Sequence, residues 1–321
     1  MSTSPRLVER LPHDRSHLLC EGEGFGNPTK LLLESIDRWA GAMVEDDSAV
    51  DDATGDYFEG TAVAKQNGII AGRIAVDQMI HTYFPSISLT WLVDEGKYVS
   101  GGEVVLSMGG PSESVLKCER VLLNIIGRMS GIATETSEWI RSSSGFPVAC
   151  TRKTQWGLLD KWAVHVGGGL THRLSRKDAL MIKENDLVVF GAGSSDENSV
   201  ISSVVSQIDL SRHASFTVIE VCDASQALEA ASSWVNCQKR RGGDEKVVLL
   251  LDNMGPSVCK EVSSLLIREG LREWCVLEGS GGISKDDLDV WVSQSGVDVV
   301  STSAVNMGAV PLDISFTIGG T

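Results

Sequence analysis

The side chains able to do chemistry are clustered along this sequence and sorted by type. Between Arg141 and Lys183 stand eight Lys/Arg residues and two acids. That stretch holds Arg152 and Lys153 within Thr151-Arg152-Lys153-Thr154, then His172 and Arg173 shortly after Gly167-Gly168-Gly169, then Lys183. Two carboxylates come next, Glu220 near the end of one apolar run and Asp252 at the end of another. Last come Ser280-Gly281-Gly282 and Ser301-Thr302-Ser303. Each type suits one part of a polyanionic reaction. Arg and Lys bind carboxylates and phosphates, and a guanidinium grips a carboxylate through two parallel hydrogen bonds. Carboxylates hold Mg²⁺, which keeps most of its waters and sits on a substrate diphosphate. Glycine-rich turns turn backbone N–H groups toward a phosphate. The expected ligand set is therefore carboxylates, a metal-bound diphosphate and a terminal phosphate, with Mg²⁺ as cofactor and Glu220 and Asp252 beside it.

The elements that must position these groups are short apolar runs. Seven β-like runs lie beyond Gly145: Phe146–Cys150, Trp162–Val166, Ala179–Ile182, Phe216–Val221, Val247–Leu251, Trp274–Leu277 and Val297–Val300. The later ones are separated by helical patterns such as Ala224–Cys237 and Val258–Glu269. Alternation of this kind means parallel strands with crossover helices. Reactive groups of such folds stand at the C-terminal ends of the strands, and each run here leads into a charged or phosphate-compatible group. Seven units in this space suit a compact or incomplete β/α barrel better than two nucleotide-binding folds. Upstream, Thr29–Met43 reads as an amphipathic helix, Thr61–Gly110 as short strands broken by glycines, and Val115–Glu138 as a long amphipathic helix.

Other patterns are weak. Gly167-Gly168-Gly169 lacks dinucleotide-binding spacing, and no P-loop occurs. The six histidines lack metal-ligand spacing; His172, between Thr171 and Arg173, is read as a ligand contact. Cys150 is read as packing. The chain has 321 residues, 42 % apolar and 22 % charged, with a formal net charge of −15. Such a mean field disfavours nucleic acid and anionic membrane as partners, while the local basic cluster still accommodates a small polyanion. Seven scattered cysteines without a Cys-x-x-Cys pair point to free thiols and a cytoplasmic location. No apolar stretch is long enough to span a bilayer. The polar N-terminus, with Pro5, Pro12, Pro28 and several glycines, reads as a mobile extension.

Taken in order, certain segments resemble quinolinate phosphoribosyltransferase. They are Glu119-Arg120-Val121-Leu122-Leu123-Asn124, Ser130-Gly131-Ile132-Ala133-Thr134, Thr151-Arg152-Lys153-Thr154, Val166-Gly167-Gly168-Gly169 with His172-Arg173-Leu174, Ile182-Lys183, Leu250-Leu251-Asp252-Asn253 and Gly279-Ser280-Gly281-Gly282-Ile283. The resemblance implies an α/β protein with an N-terminal α/β sandwich domain and an open, incomplete parallel β/α (TIM-like) barrel. It divides the chain into a flexible extension (1–28), the sandwich (29–117), the barrel (118–305) and a C-terminal segment (306–321) returning to the first domain. It implies an obligate homodimer in which Arg120 enters the neighbour's site. Quinolinate would meet that Arg120 with Arg152, His172 and Arg173. Lys153, Lys183, Glu220 and Asp252 would surround 5-phosphoribosyl 1-diphosphate and its Mg²⁺. Ser280, Gly281, Gly282, Ser301, Thr302 and Ser303 would hold phosphate. The implied products are nicotinate mononucleotide, CO₂ and diphosphate.

The sequence departs from the family pattern at three places. Asp186 stands where the family usually has His, Gln155-Trp156-Gly157 where it has Thr-Pro-Gly, and Ser303 where it has a small Gly. These departures motivate a second reading, a paralogous phosphoribosyltransferase acting on a different aromatic carboxylic acid. A third is a non-catalytic ligand-sensing protein on the same fold.

Overall fold

The computed structural model describes residues 11–22, 24–191, 196–208 and 215–319. Residues 11–20 pack against the folded body, against the expectation of a mobile extension over 1–28. Leu19 and His13 are fully buried, and residues 1–10 lie outside the described residues.

Thr29 caps the first helix, α1 (Lys30–Asp46), its hydroxyl accepting the Leu32 N–H. Leu32, Ile36 and Ala40 form the buried face expected from their spacing. Next in the chain are β1 (Tyr57–Ala64), β2 (Gly68–Ile69), α2 (Arg73–Tyr83), β3 (Ser88–Trp91), β4 (Tyr98–Val99) and β5 (Val104–Pro111). Helix α2 corrects the expectation of strands throughout Thr61–Gly110. Its N-terminal cap comes from a distant residue: the buried carboxylate of Glu95 accepts the Gly72 N–H at 3.1 Å and the Arg73 N–H at 2.8 Å. No local Ser, Thr, Asp or Asn announces the start, so the usual signal is missing.

Helix α3 (Ser112–Ser142) is the longest element and runs through position 117/118. Beyond it alternate β6 (Val148–Cys150), α4 (Leu158–Val166), β7 (Leu180–Ile182), α5 (Glu184–Gly191), α6 (Glu197–Gln207), β8 (Thr217–Val221), α7 (Ala224–Arg241) and β9 (Val247–Asp252). The chain ends with α8 (Gly255–Arg268), β10 (Cys275–Ser280), α9 (Leu288–Gln294), β11 (Val299–Thr302), α10 (Ala304–Met307) and β12 (Ile314–Ile318). Trp162–Val166, expected as a strand, lies in helix α4. That helix packs against both α1 and α3, so even Asp160 and Lys161 are buried. A short apolar run buried on all sides looks the same as helix or strand in sequence.

The parallel sheet has the order β6-β11-β10-β9-β8-β7. It curls over inward-facing Ala149, Val218, Val248, Leu250, Val276 and Val299. Beside β6, the chain after α4 makes only a bridge from Leu170 to Ala149, which leaves β6 and β7 as edges of an open half-barrel. The N-terminal sheet is antiparallel, of order β12-β1-β5-β3. Its edge strand β12 comes from the C-terminus, after residues 310–312 cross α3. The Leu312 N–H bonds the Gly127 carbonyl at 2.8 Å.

That crossing explains Gly131. A Cβ there would stand 2.2 Å from the Val310 carbonyl oxygen. Gly131→Ala is therefore expected to push the return segment off α3 and cost about 1–3 kcal/mol, measured by urea unfolding of the full chain.

Candidate active site

The strand register brings the polar residues together. Cys150 pairs with Thr302, Ser301 with Ser280, Ser280 with Asp252, Glu220 with Leu250 and Ile182 with Ile219. All six strands thus end at one rim. A cavity of ≈ 700 Å³ opens there. It is lined by Arg152, Lys153, His172, Arg173, Lys183, Glu220 and Asp252, and by Ser280–Gly282 and Ser301–Ser303. Every candidate catalytic, substrate-binding or phosphate-binding residue is present except Arg120. Arg120 is exposed on α3 and lines a separate hollow with Arg128, Trp156 and Asp313.

One flank is cationic. Burial, and the charges of Arg152 and Arg176, push the Arg173 guanidinium down from its ordinary value. It remains charged, so this crowding is relieved by an anion. The opposite flank holds Lys183, whose amine meets the Glu220 carboxylate, and Asp252, which accepts a bond from Asn253 at 2.7 Å. Among the described residues, no third His, Cys, Asp or Glu joins Glu220 and Asp252 in a ligand cluster. Two carboxylates beside a rim of glycines and hydroxyls are the donor set that a hydrated Mg²⁺ would fit. On that rim Gly281 takes φ +96°, and a Cβ would stand 2.2 Å from Asn253 Oδ1.

Three supporting residues escaped the sequence reading. Lys161 is buried, its ammonium donating to the Thr171 carbonyl at 2.6 Å and the Thr151 carbonyl at 3.3 Å. It ties the Arg152 loop to the His172 loop. A lysine inside the apolar run Leu158–Val166 was the available signal. Asn306 donates to the Lys153 carbonyl at 2.7 Å. Glu278, fully buried beneath the cavity, stands 3.3 Å from His172 Nε2 and 2.9 Å from His13 Nε2. Nothing local marks either role. Burial pushes the Cys150 thiol up, in keeping with packing.

The departures from the family pattern also acquire places. Asp186 Oδ2 accepts the Lys183 N–H at 3.0 Å, the reach-back half of a capping box at the start of α5. Trp156 stacks under Arg128, 5.1 Å from the guanidinium carbon. Neither side chain lines the cavity, whereas Ser303 does.

Comparison with known proteins agrees with this geometry. Residues 52–130 match the quinolinate phosphoribosyl transferase N-terminal domain and residues 132–317 its C-terminal domain. The chain belongs to the quinolinate phosphoribosyltransferase family. A probable nicotinate-nucleotide pyrophosphorylase [carboxylating] of Methanothermobacter thermautotrophicus is 35 % identical over 80 % of this chain and 87 % of its own length. Quinolinate phosphoribosyltransferase [decarboxylating] 1b of Nicotiana tabacum is 32 % identical over 80 % of this chain and 72 % of its own. The solved structure of NadC from Streptococcus pyogenes is 26 % identical, with a TM-score of 0.71 over 88 % of this chain and 97 % of that one. The nicotinate-nucleotide pyrophosphorylase of Francisella tularensis shares the fold at 22 % identity, with a TM-score of 0.73 over 89 % and 97 % of the two chains.

The buried network sets the acid stability. Burial alone would push Glu278 up, but His172 and His13 outweigh it and hold its carboxyl well below its ordinary 4.5. Burial holds His172 below its ordinary 6.5, against the pull of Glu278. At both groups the unfolded chain binds protons more tightly, so stability falls as pH drops, first below 6.5 and again below 4.5. Denaturant unfolding is expected to show a further fall below pH 4.5 in the wild type that Glu278→Gln lacks, and between pH 6.5 and 4.5 a steeper fall in the variant, whose His172 has lost the pull of Glu278. The variant itself is expected to be less stable at pH 7.

Proposed function

We propose that the cavity joins quinolinate to 5-phosphoribosyl 1-diphosphate with loss of CO₂, giving nicotinate mononucleotide and diphosphate for NAD biosynthesis. The supporting observation is a single cavity with a cationic flank, a carboxylate-bearing flank and a rim of glycines and hydroxyls. No single smaller anion uses all three.

Arg152, His172 and Arg173 face the two carboxylates of quinolinate. Lys153 and Lys183 face the phosphoribosyl diphosphate, and the Ser280–Gly282 and Ser301–Ser303 turns receive phosphate. Glu220 and Asp252 would hold Mg²⁺ beside the diphosphate, where it would supply neutralisation of the leaving group's charge. The pyridine nitrogen attacks the anomeric carbon as the C–O bond to diphosphate breaks. Positive charge on the ribose is stabilised by the carboxylates below it. Ribosylation leaves a pyridinium, which accepts the electron pair released when the adjacent carboxylate departs as CO₂. A proton from water then replaces it on the ring carbon. Holding both substrates in one pocket supplies the proximity contribution.

The enzyme works as a homodimer in this reading. Arg120 is exposed and makes no hydrogen bond or ion pair among the described residues, so it is free to enter a partner's cavity. The chain is cytoplasmic in the same reading. No helix of the described residues is long and apolar enough to cross a membrane, and the buried thiols are unpaired.

Purified protein with Mg²⁺ and both substrates is expected to release nicotinate mononucleotide and CO₂. Faster turnover of a pyridine monocarboxylate than of quinolinate would favour a paralogous enzyme. Absence of diphosphate release with any acid would favour a ligand sensor. Arg120→Ala is expected to lower kcat/KM by roughly 10²-fold or more without unfolding the chain. Mixing it with Lys183→Ala is expected to restore roughly a quarter of wild-type activity, from the one intact site of each mixed dimer. Failure to restore activity despite subunit exchange removes the shared-site claim.

A further inference from the structure

Residues 11–16 enter the open half-barrel from beneath the cavity. They lie outside the residues matched by either family domain, the first of which begins at residue 52. Leu11 packs against the inward-facing barrel cluster that includes Phe216, Val248 and Val276. His13 is fully buried beside it. Its ring lies edge-on to His172 at 4.8 Å and 5.9 Å from Phe216.

The contacts of this segment converge on one loop. His13 Nε2 is hydrogen-bonded to Glu278 Oε2 at 2.9 Å. The other oxygen of that carboxylate stands 3.3 Å from His172 Nε2. His172 Nδ1 accepts the Arg173 N–H at 2.7 Å, so the neutral ring carries its proton on Nε2, facing Glu278. Glu278 therefore lies between two imidazoles that are far apart along the chain, hydrogen-bonded to His13 and 3.3 Å from His172. The backbone joins in. The Arg15 N–H donates to Thr171 Oγ1 at 2.9 Å, and the Thr171 hydroxyl reaches the His13 carbonyl at 3.4 Å. The Arg15 guanidinium pairs with Asp178 at 3.0 Å, and Asp178 in turn accepts the Leu174 N–H at 2.9 Å. Thr171, His172 and Leu174 are thus each held by the segment, directly or through one carboxylate.

The loop needs such support. His172 takes φ +50°, a left-handed conformation that a residue with a Cβ rarely adopts. Strain of this kind persists only where the surroundings enforce it. His13, His172 and Glu278 stand close enough to hold a metal ion. The 2.9 Å contact between His13 and Glu278, however, is already that of a hydrogen bond.

We propose that Leu11–Ser16 is a positioning strap for the acid-binding loop, and that His13, acting through Glu278 and His172, sets the aim of Arg173. The proposal rests on the reading that His172 and Arg173 hold the carboxylates of quinolinate. His13 does not touch substrate. Its effect falls on acceptor recognition, because Lys183, Glu220 and Asp252, on the phosphoribosyl diphosphate side, hydrogen-bond to their own neighbours and not to the segment.

The test uses two variants of the full chain. His13→Phe fills the ring volume without an N–H donor, and His13→Gln restores a donor at the position of Nε2. In His13→Phe, KM for quinolinate is expected to rise tenfold or more, with KM for 5-phosphoribosyl 1-diphosphate within twofold of wild type. In His13→Gln both are expected within threefold. The strap is overturned if both constants rise together in His13→Phe, if neither changes, or if His13→Gln fails as badly. Should His13→Phe not fold, Arg15→Gln loosens the same loop through Asp178 and must show the same split. Arg173→Ala separates the two claims. If it leaves the quinolinate KM unchanged, the reading of the loop fails and the strap with it. If it raises that KM while His13→Phe does not, the strap alone falls.

Discussion

Six parallel strands end level with one another, and every polar group of the cavity hangs on that alignment. The register leaves little freedom. With Ser280 opposite both Asp252 and Ser301, and Thr302 opposite Cys150, a slip of one residue would turn each inward side chain outward. The inward cluster of Ala149, Val218, Val248, Leu250, Val276 and Val299 opposes such a slip, because it would carry apolar groups into water. Packing below the cavity thereby sets the chemistry above it. The loops need little structure of their own, since their first residues are already aimed.

Electrostatics then sorts the mouth. The chain as a whole carries −15, yet the cavity gathers Arg152, Lys153, Arg173 and Lys183. Low-dielectric walls focus the field of such a group. Arg173 feels both the loss of water and the repulsion of Arg152 and Arg176. A dicarboxylate relieves that cost, so affinity comes from interactions the empty protein holds in an unfavourable state. The negative remainder of the surface repels large polyanions, while a small polyanion meets mainly the local field.

Two buried carboxylates show how the fold joins distant segments. Glu95 caps α2 and also accepts the Trp162 indole N–H at 2.9 Å, linking the N-terminal layer to α4. Glu278 holds His13 and His172. Three N–H groups converge on Glu95, from Gly72, Arg73 and Trp162, whereas Glu278 has the His13 hydrogen bond with His172 3.3 Å away; such partners offset the cost of burying an acid. Lys161 is the cationic counterpart, with two backbone carbonyls in place of an acid.

Much of the site was legible because its information is local. A parallel strand delivers its next residue to the rim, so Arg152, Lys153, Lys183 and Asp252 stand out as the polar residues immediately beyond the apolar runs. Ser280, Gly281 and Gly282 were legible for the same reason. The barrel and the glycine and hydroxyl turns at its rim were thus determined by the sequence alone. Tertiary structure decided whatever depends on partners far along the chain. Helix α4 read as a strand because burial on all sides erases its period. Helix α2 went unseen because its cap, Glu95, lies beyond its C-terminal end. His13 sits 265 residues from Glu278, and nothing near it in the sequence anticipates that bond. Arg120 had to be placed in space to show that it lies outside its own chain's cavity. Local pattern records how much a segment buries, but only the packed chain decides which distant group it is buried against.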